Sequence, residues 1–206
     1  MKYIFVSGAP GSKWSSVVKN IYYSPSVDRT DYSDQRTYWH DASGTYDLMH
    51  LGVYWGPAME FGTWFEQLDQ HSQHENQAEF DAPFSGTGVR IIKSHVFGYH
   101  VDYLRRTWPD APIVLIDRPD DACLGWWVKC GEFGITYPAY RDYYKDLRAM
   151  SAAIARENQA NRRAAKEYPG QRVRTNRQLA RVLGIEVPPD QYYQDYDLSD
   201  IEVTVI

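Results

Sequence analysis

Arg90-Ile91-Ile92-Lys93-Ser94-His95 is an apolar strand that ends on a lysine, a hydroxyl and a histidine, a combination suited to moving a charged group. A second set lies near the N-terminus, where Tyr3-Ile4-Phe5-Val6 runs into Ser7-Gly8-Ala9-Pro10-Gly11-Ser12-Lys13-Trp14-Ser15-Ser16. A third follows Ile113-Val114-Leu115-Ile116-Asp117, which meets Arg118-Pro119 at once. Each strand carries its polar residues at its carboxyl end, where open α/β sheets bind ligands.

The first turn reads as a phosphate cradle. Gly8 and Gly11 let the backbone come close to a ligand, and the helix that follows offers unpaired N–H groups and the positive end of its dipole. Lys13, Ser12, Ser15 and Ser16 add donors. A strand-to-helix turn needs glycine for its geometry, but a lysine and three serines are more than a turn requires. The regular triphosphate loop has a glycine, four residues, then Gly-Lys-Ser/Thr. Here Gly8 is followed by four residues and then Lys13 directly, and Trp14 separates the lysine from the next hydroxyl.

Transfer of a charged group to a hydroxyl needs a base for the acceptor proton, and histidine titrates in the right range, which points to His95. It also needs cations where charge develops on the leaving group; Lys13, Lys93 and the helix N-terminus supply them, with no metal required. His71 and His74 fall in a polar stretch without metal-ligand spacing.

At these three places the chain resembles the sulfotransferases that use 3′-phosphoadenosine 5′-phosphosulfate (PAPS). Cytosolic members of that family carry a Gly-Thr-Thr-Trp turn after the first strand, similar to Gly11-Ser12-Lys13-Trp14, with the tryptophan stacking on adenine. They carry Lys-Thr/Ser-His-Leu-Pro, similar to Lys93-Ser94-His95-Val96-Phe97, with the histidine as base. Their third motif is a strand followed by Arg-Asn/Asp-Pro, similar to Asp117-Arg118-Pro119-Asp120, where the arginine binds the 3′-phosphate. The three occur in family order, and the resemblance covers roughly residues 1 to 135. It implies a sulfuryl transfer with His95, Lys93 and Lys13 as catalytic residues, and Gly8, Ala9, Pro10, Gly11, Ser12, Lys13, Trp14, Ser15 and Arg118 around PAPS or its desulfated product.

The chain also departs from that pattern. Ala9 aligns with the lysine that the family places early in the first turn, so Lys13 must reach the sulfate or 5′-phosphate from another backbone position. The family's helix serine at the 3′-phosphate falls near Gly125 or Trp126, and no basic, Gly-rich C-terminal loop is recognisable; Arg172, Arg174 and Arg177 are the substitutes available. Two other readings stay open. Asp117 at the end of an apolar strand imitates a magnesium ligand, which would suit a small P-loop kinase using ATP and magnesium. A degenerate site would suit a nucleotide-binding protein without turnover.

The elements that must position these residues follow an α/β order. A strand at 2 to 7 leads into a helix from Trp14 to Tyr22. From Val89 the order is strand, helix (His100 to Thr107), strand (Ile113 to Asp117), helix (Asp120 to Lys129), which argues for a mainly parallel central sheet with helices on both faces. A long helix from Asp142 to Tyr168 stops at Pro169-Gly170, and a short one runs from Asn176 to Leu183. Residues 24 to 47 read as a loop, 57 to 68 as a short helix, Asp69 to Glu79 as a surface loop, and the stretch after Pro188-Pro189 as a polar, Tyr-rich tail.

The 206 residues suit one domain, 1 to 206, and a core without staples. Cys123 and Cys130, seven apart in one helix, read as reduced thiols of a cytoplasmic protein. The first residues resemble neither a signal peptide nor a membrane span. A net charge of −5 argues against general nucleic-acid binding, so any anion site must be local. Aromatic residues make up 15%, and Tyr32, Tyr38, Trp39, His40, Tyr46, Tyr54, Trp55 and Trp64 fall close together in the chain. They suit either a groove for a hydroxyl-bearing small molecule or glycan, or an irregular core.

Overall fold

Tyr3–Gly8 forms strand β1, buried along its whole length. Tyr3 and Phe5 point into one apolar cluster while Ile4 and Val6 point into another, the pattern of a central strand covered on both faces. β1 pairs in parallel with β3 (Arg90–Lys93) on one side and β4 (Ile113–Asp117) on the other. The short β2 (Val53–Tyr54) joins β3, also in parallel. β6 (Glu202–Val205) pairs antiparallel with β4, and β5 (Gln171–Val173) antiparallel with β6. The mixed, mostly parallel sheet therefore has the order β2-β3-β1-β4-β6-β5. In this computed structural model residues 1–31, 51–56, 62, 66–129, 145–188 and 200–206 are described, and they form one α/β domain.

Among the described residues, six α-helices cover the sheet. α1 (Trp14–Tyr22) and α6 (Asn176–Val182) lay Val17, Val18, Ile21, Leu179 and Ala180 on the Ile4–Val6 face. α2 (Gln73–Asp81) and α3 (Val101–Thr107) lay Phe80 and Leu104 on the other. There Phe5 packs with Phe80, Phe97 and Trp108 at ring separations of 5.4 to 5.6 Å, within the range of favourable aromatic pairs. α4 (Asp120–Lys129) follows β4 directly. α5 (Leu147–Glu167) contributes Met150, Ala153 and Ile154 to the first cluster and Ala164 to the second.

The polar stretch expected to be a surface loop, Asp69 to Glu79, folds for the most part as α2. Ser72 and Glu75 form a reciprocal capping box, satisfying the first free N–H groups of the helix. Asn76 and Phe80 then bury one side of it, Asn76 donating to the Leu68 carbonyl at 2.8 Å. The polar tail likewise ends in a strand, because Val203 and Val205 alternate inward across β6. Most of the expected helix over residues 57 to 68 and most of the expected 24 to 47 loop lie outside the described residues, as does Cys130; residues 62 and 66 to 68 are described, and Leu68 opens a short 3-10 turn, Leu68–Gln70, instead of ending an α-helix; Cys123 is a buried free thiol.

At the amino ends of the strands Asp81 ties three elements together. Its carboxylate accepts from the Tyr3 hydroxyl and the Lys2 ammonium, each at 2.6 Å, and from the Arg90 guanidinium. Asp81→Ala is expected to lower the unfolding free energy by about 2–3 kcal/mol, because the buried Tyr3 hydroxyl and Arg90 lose their shared acceptor. Urea denaturation of variant and parent measures this; a change within about 0.5 kcal/mol would reduce the cluster to ordinary surface pairs.

Candidate functional site

The chain leaves β1 toward the β3–β2 side of the sheet and leaves β4 toward the β6–β5 side, so the carboxyl ends of these neighbours flank the topological switch point. Parallel pairing brings the strand-end groups together there. Val6 sits opposite Lys93, and Gly8 opposite Ile116, so the turn after β1 emerges between Ser94-His95 and Asp117-Arg118.

The turn is tightly made. Ala9 and Pro10 are buried, and the Ser12 amide donates to the Ala9 carbonyl at 3.0 Å. Gly11 has φ +78, and a Cβ there would stand 2.2 Å from the Cys123 carbonyl oxygen, so glycine is required twice over, by its dihedral and by the approach of α4. Lys13, the N-cap of α1, also takes a left-handed conformation, φ 65 and ψ 18. Such a conformation costs a side-chain-bearing residue about 1–2 kcal/mol and persists where its surroundings enforce it. Ser15 and Ser16 follow in the first turn of α1, both partly exposed.

Two side chains grip the turn by its carbonyls. His95 Nδ1 lies 2.5 Å from the Gly8 oxygen, and Arg118 Nη1 donates to the Gly11 oxygen at 2.7 Å. The other end of the guanidinium, Nη2, donates to Asp200 Oδ2 at 2.9 Å, while Lys13 Nζ donates to Asp200 Oδ1 at 2.8 Å. One carboxylate thus bridges two cations from different strand ends. Partial burial works against the charged form of Asp200, but the hydrogen bond from Lys13 and the charges of Lys13 and Arg118 hold its pKa below the usual aspartate value. The register of β6 explains its position. Asp117 pairs with Glu202, so two residues further back along the antiparallel strand Asp200 stands beside the Arg118-Pro119 turn. Arg118 is buried, and its Nε and the equally buried Ser12 Oγ have no hydrogen-bond partner among the described residues.

His95 is buried in a ring cluster. Its imidazole stacks on Trp14 at 4.1 Å between centroids and 15° between planes, and meets Tyr54 edge-on at 5.3 Å. The Lys93 ammonium, fully buried, lies 5.4 Å from the Trp14 centroid, a cation–π distance. Burial, more than the nearby Lys93 charge, pushes the His95 pKa down to about 3, against the opposing effect of the Gly8 hydrogen bond. The ring is therefore neutral at pH 7. Because a carbonyl only accepts, Nδ1 carries the proton and Nε2 keeps the lone pair that a base needs. Trp14 is taken up by His95, so a base stacking on that face requires the imidazole to move. Trp55 packs in the core beside Phe97 at 5.9 Å, and the rest of the aromatic set apart from Tyr54 lies outside the described residues.

Other polar residues here were not anticipated from sequence. Ser7 Oγ donates to Asn161 Oδ1 at 2.8 Å and accepts from the Gly98 amide at 2.9 Å, tying α5 to β1 and to the turn after His95. The fit leaves no room at Gly98, where a Cβ would stand 2.4 Å from Asn161 Oδ1. Asn158 Nδ2 donates to the Arg118 carbonyl at 2.9 Å and to Asp120 Oδ1 at 2.8 Å. The signal available was a polar stripe of Asn158, Asn161 and Arg162 at helical spacing on an alanine-rich helix. Arg162 donates to Asp117 Oδ2 at 2.9 Å and to Asp120 Oδ1 at 3.0 Å, so one oxygen of the carboxylate that a magnesium reading would need is given to an arginine, while Asp117 Oδ1 is buried without a hydrogen-bond partner among the described residues. Burial still pushes the Asp117 pKa up, against that pairing. No group of three or more His, Cys, Asp or Glu able to hold a metal ion occurs among the described residues, and no described helix is long and apolar enough to cross a membrane. Arg172 pairs with Glu202 at the far edge of the sheet.

No protein family, no curated protein and no solved structure matches the chain. The chemistry of the site therefore rests on its own geometry.

Burial of neutral His95 links folding to pH. In the unfolded chain it takes up a proton near pH 6.5. In the folded chain it does so only near pH 3, so this stabilisation is complete above pH 6.5 and is lost as pH falls toward 3. His100, also lowered by burial, acts in the same direction. Replacement His95→Gln is expected to flatten the stability profile between pH 6.5 and 4.5 by about 1.4 kcal/mol per pH unit, one proton's worth. Denaturant titrations across that range would contradict the assignment if variant and parent kept the same slope.

Proposed function

We propose that this protein binds a phosphate-bearing nucleotide at the carboxyl ends of β1, β3 and β4, and transfers a sulfuryl group from PAPS to the hydroxyl of a small molecule or glycan, working in the cytoplasm. The observation that carries the reading is the convergence of Lys13 and Arg118 on a single carboxylate beside a glycine turn and a helix N-terminus. Two cations that share one oxyanion fit a phosphoryl or sulfuryl group. Ser12 Oγ and Arg118 Nε, buried in the same turn region, have no hydrogen-bond partner among the described residues. In this reading the turn after β1 acts as a P-loop-like cradle, although its sequence differs from the regular loop.

PAPS, when bound, supplies an activated sulfuryl group whose transfer releases the adenosine 3′,5′-bisphosphate. Lys13 and Arg118 hold the anionic groups, and the first amides of α1 face them. Lys93 stabilises the charge that develops on the leaving phosphate. His95 Nε2 receives the acceptor's proton as its oxygen bonds to sulfur. Tyr54 and Trp14 wall the imidazole, and in this reading the negative charge of the bound nucleotide raises its basicity so that it takes that proton. The same burial favours a second reading, a protein that binds the nucleotide without turnover, because His95 sits against Trp14 and its pKa is far below neutrality.

Calorimetric titration should show adenosine 3′,5′-bisphosphate binding much more tightly than ATP, with no requirement for magnesium; tighter, magnesium-dependent ATP binding would support a kinase instead. Arg118→Ala is expected to weaken the bisphosphate by roughly 2–5 kcal/mol, as for loss of a buried charged partner. With an active acceptor, His95→Ala should lower turnover about 10² to 10⁴-fold, and His95→Gln, whose amide can still donate to the Gly8 carbonyl, should lower it as far while nucleotide affinity stays nearly unchanged. Normal turnover in either variant would remove the base assignment, and absence of turnover in the parent across a broad hydroxyl panel would favour the binding-only reading.

A further inference from the structure

Asp200 stands where the ligand of the Lys13–Arg118 pair would stand. It uses both carboxylate oxygens, Oδ1 to Lys13 and Oδ2 to Arg118, which is how a bound oxyanion bridges two cations. The three charged side chains differ in freedom. The Arg118 side chain is only 9% exposed and is pinned by the Gly11 carbonyl, whereas the Asp200 side chain is 39% exposed and precedes the first ladder pair of β6. A buried guanidinium needs a counter-anion, and a half-exposed carboxylate is free to leave for solvent once another anion arrives. Arg118 also lies over the Trp126 ring at 5.9 Å, so its position does not depend on Asp200 alone.

We propose that Asp200 is an autoinhibitory competitor of this site: its carboxylate occupies both cations, and only an anion that binds them strongly, as a phosphoryl or sulfuryl end does, displaces it to a measurable extent. The inference rests on the reading of Lys13 and Arg118 as the anion-binding pair. The exchange is one for one in hydrogen bonds. A monoanion with two oxygens, such as acetate, replaces what Asp200 already provides and gains nothing. A tetrahedral dianion gains the extra charge and carries oxygens beyond the two that Asp200 offers. The competition weakens every anion by the same factor, the fraction of molecules in which Asp200 has left, and so removes weak anions from the measurable range.

The experiment compares the parent, Asp200→Asn and Asp200→Glu by calorimetry at constant ionic strength, with inorganic phosphate, acetate and adenosine 3′,5′-bisphosphate as probes. The Asn variant is expected to bind phosphate roughly tenfold more tightly and to gain measurable affinity for acetate, and the Glu variant to behave as the parent does. In the parent itself, the carboxyl carbon resonance of Asp200 should move on addition of phosphate, a readout independent of any substitution. Phosphate binding that is unchanged or weaker in the Asn variant, or an unmoved Asp200 resonance at saturation, would overturn the inference and make Asp200 a structural tie. Tighter phosphate binding by the Asn variant with no added affinity for the bisphosphate would uphold the inference and remove the nucleotide reading. Failure of phosphate to bind either protein would overturn the inference, and failure of the bisphosphate to bind either would remove the nucleotide reading as well.

Discussion

The carbonyl oxygens of Gly8 and Gly11 face outward from the turn after β1, and each is taken by a side chain from a neighbouring strand end, His95 after β3 and Arg118 after β4. This double grip depends on β1 lying between β3 and β4 in a parallel sheet, since only then do the three strands deliver their carboxyl ends to one place. It also accounts for the unusual backbone. Held at Gly8 and Gly11, the chain must reverse within two residues to start α1, and the left-handed Lys13 makes that reversal. Its side chain is thereby directed to the same carboxylate that Arg118 reaches.

Charge and burial set the rest of the arrangement. Arg118, Lys93, His95, Asn158 and Asn161 are buried polar groups, and each would cost several kcal/mol without compensation. Arg118 is compensated by Asp200 and the Gly11 carbonyl, and its own carbonyl is fixed by Asn158. His95 is compensated by losing its charge, with one ring nitrogen committed to Gly8, the ring stacked on Trp14 and Tyr54 meeting it edge-on. Asn161 and Ser7 link α5 to the first strand and to the turn that follows His95, so the long helix serves as the brace behind the site. Apart from Lys93, the last residue of β3, the reactive residues lie beyond the strand ends, and polar contacts to β1, its turn and α5 hold them.

Much of this was legible in the sequence because it depends on local patterns. The three apolar strands, the glycine turn and the strand-end residues Lys93, His95 and Arg118 can be read from hydrophobic runs and their punctuation, and the α/β alternation follows. Ser72 and Glu75 stand at capping-box spacing, but the polarity of Asp69 to Glu79 points to a loop, and only the structure shows that the segment forms α2. β2, β5 and β6 were too short for a period of two to show, and their pairing is fixed by partners far along the chain. Asp200 could not be anticipated for the same reason. Its contact with Lys13 spans 187 positions, and only the register of β6 against β4 brings it there.

The central claim is that the turn from Gly8 to Lys13, flanked by His95 and Arg118, is where an anionic nucleotide binds. Amide chemical-shift mapping during titration with adenosine 3′,5′-bisphosphate tests it most directly. The account requires the largest changes at Gly8, Gly11, Ser12, Lys13 and the first turn of α1, with accompanying changes at Arg118 and Asp200. Saturable changes confined to another face of the molecule, such as the exposed side of α2 or the amino ends of the strands, would contradict it.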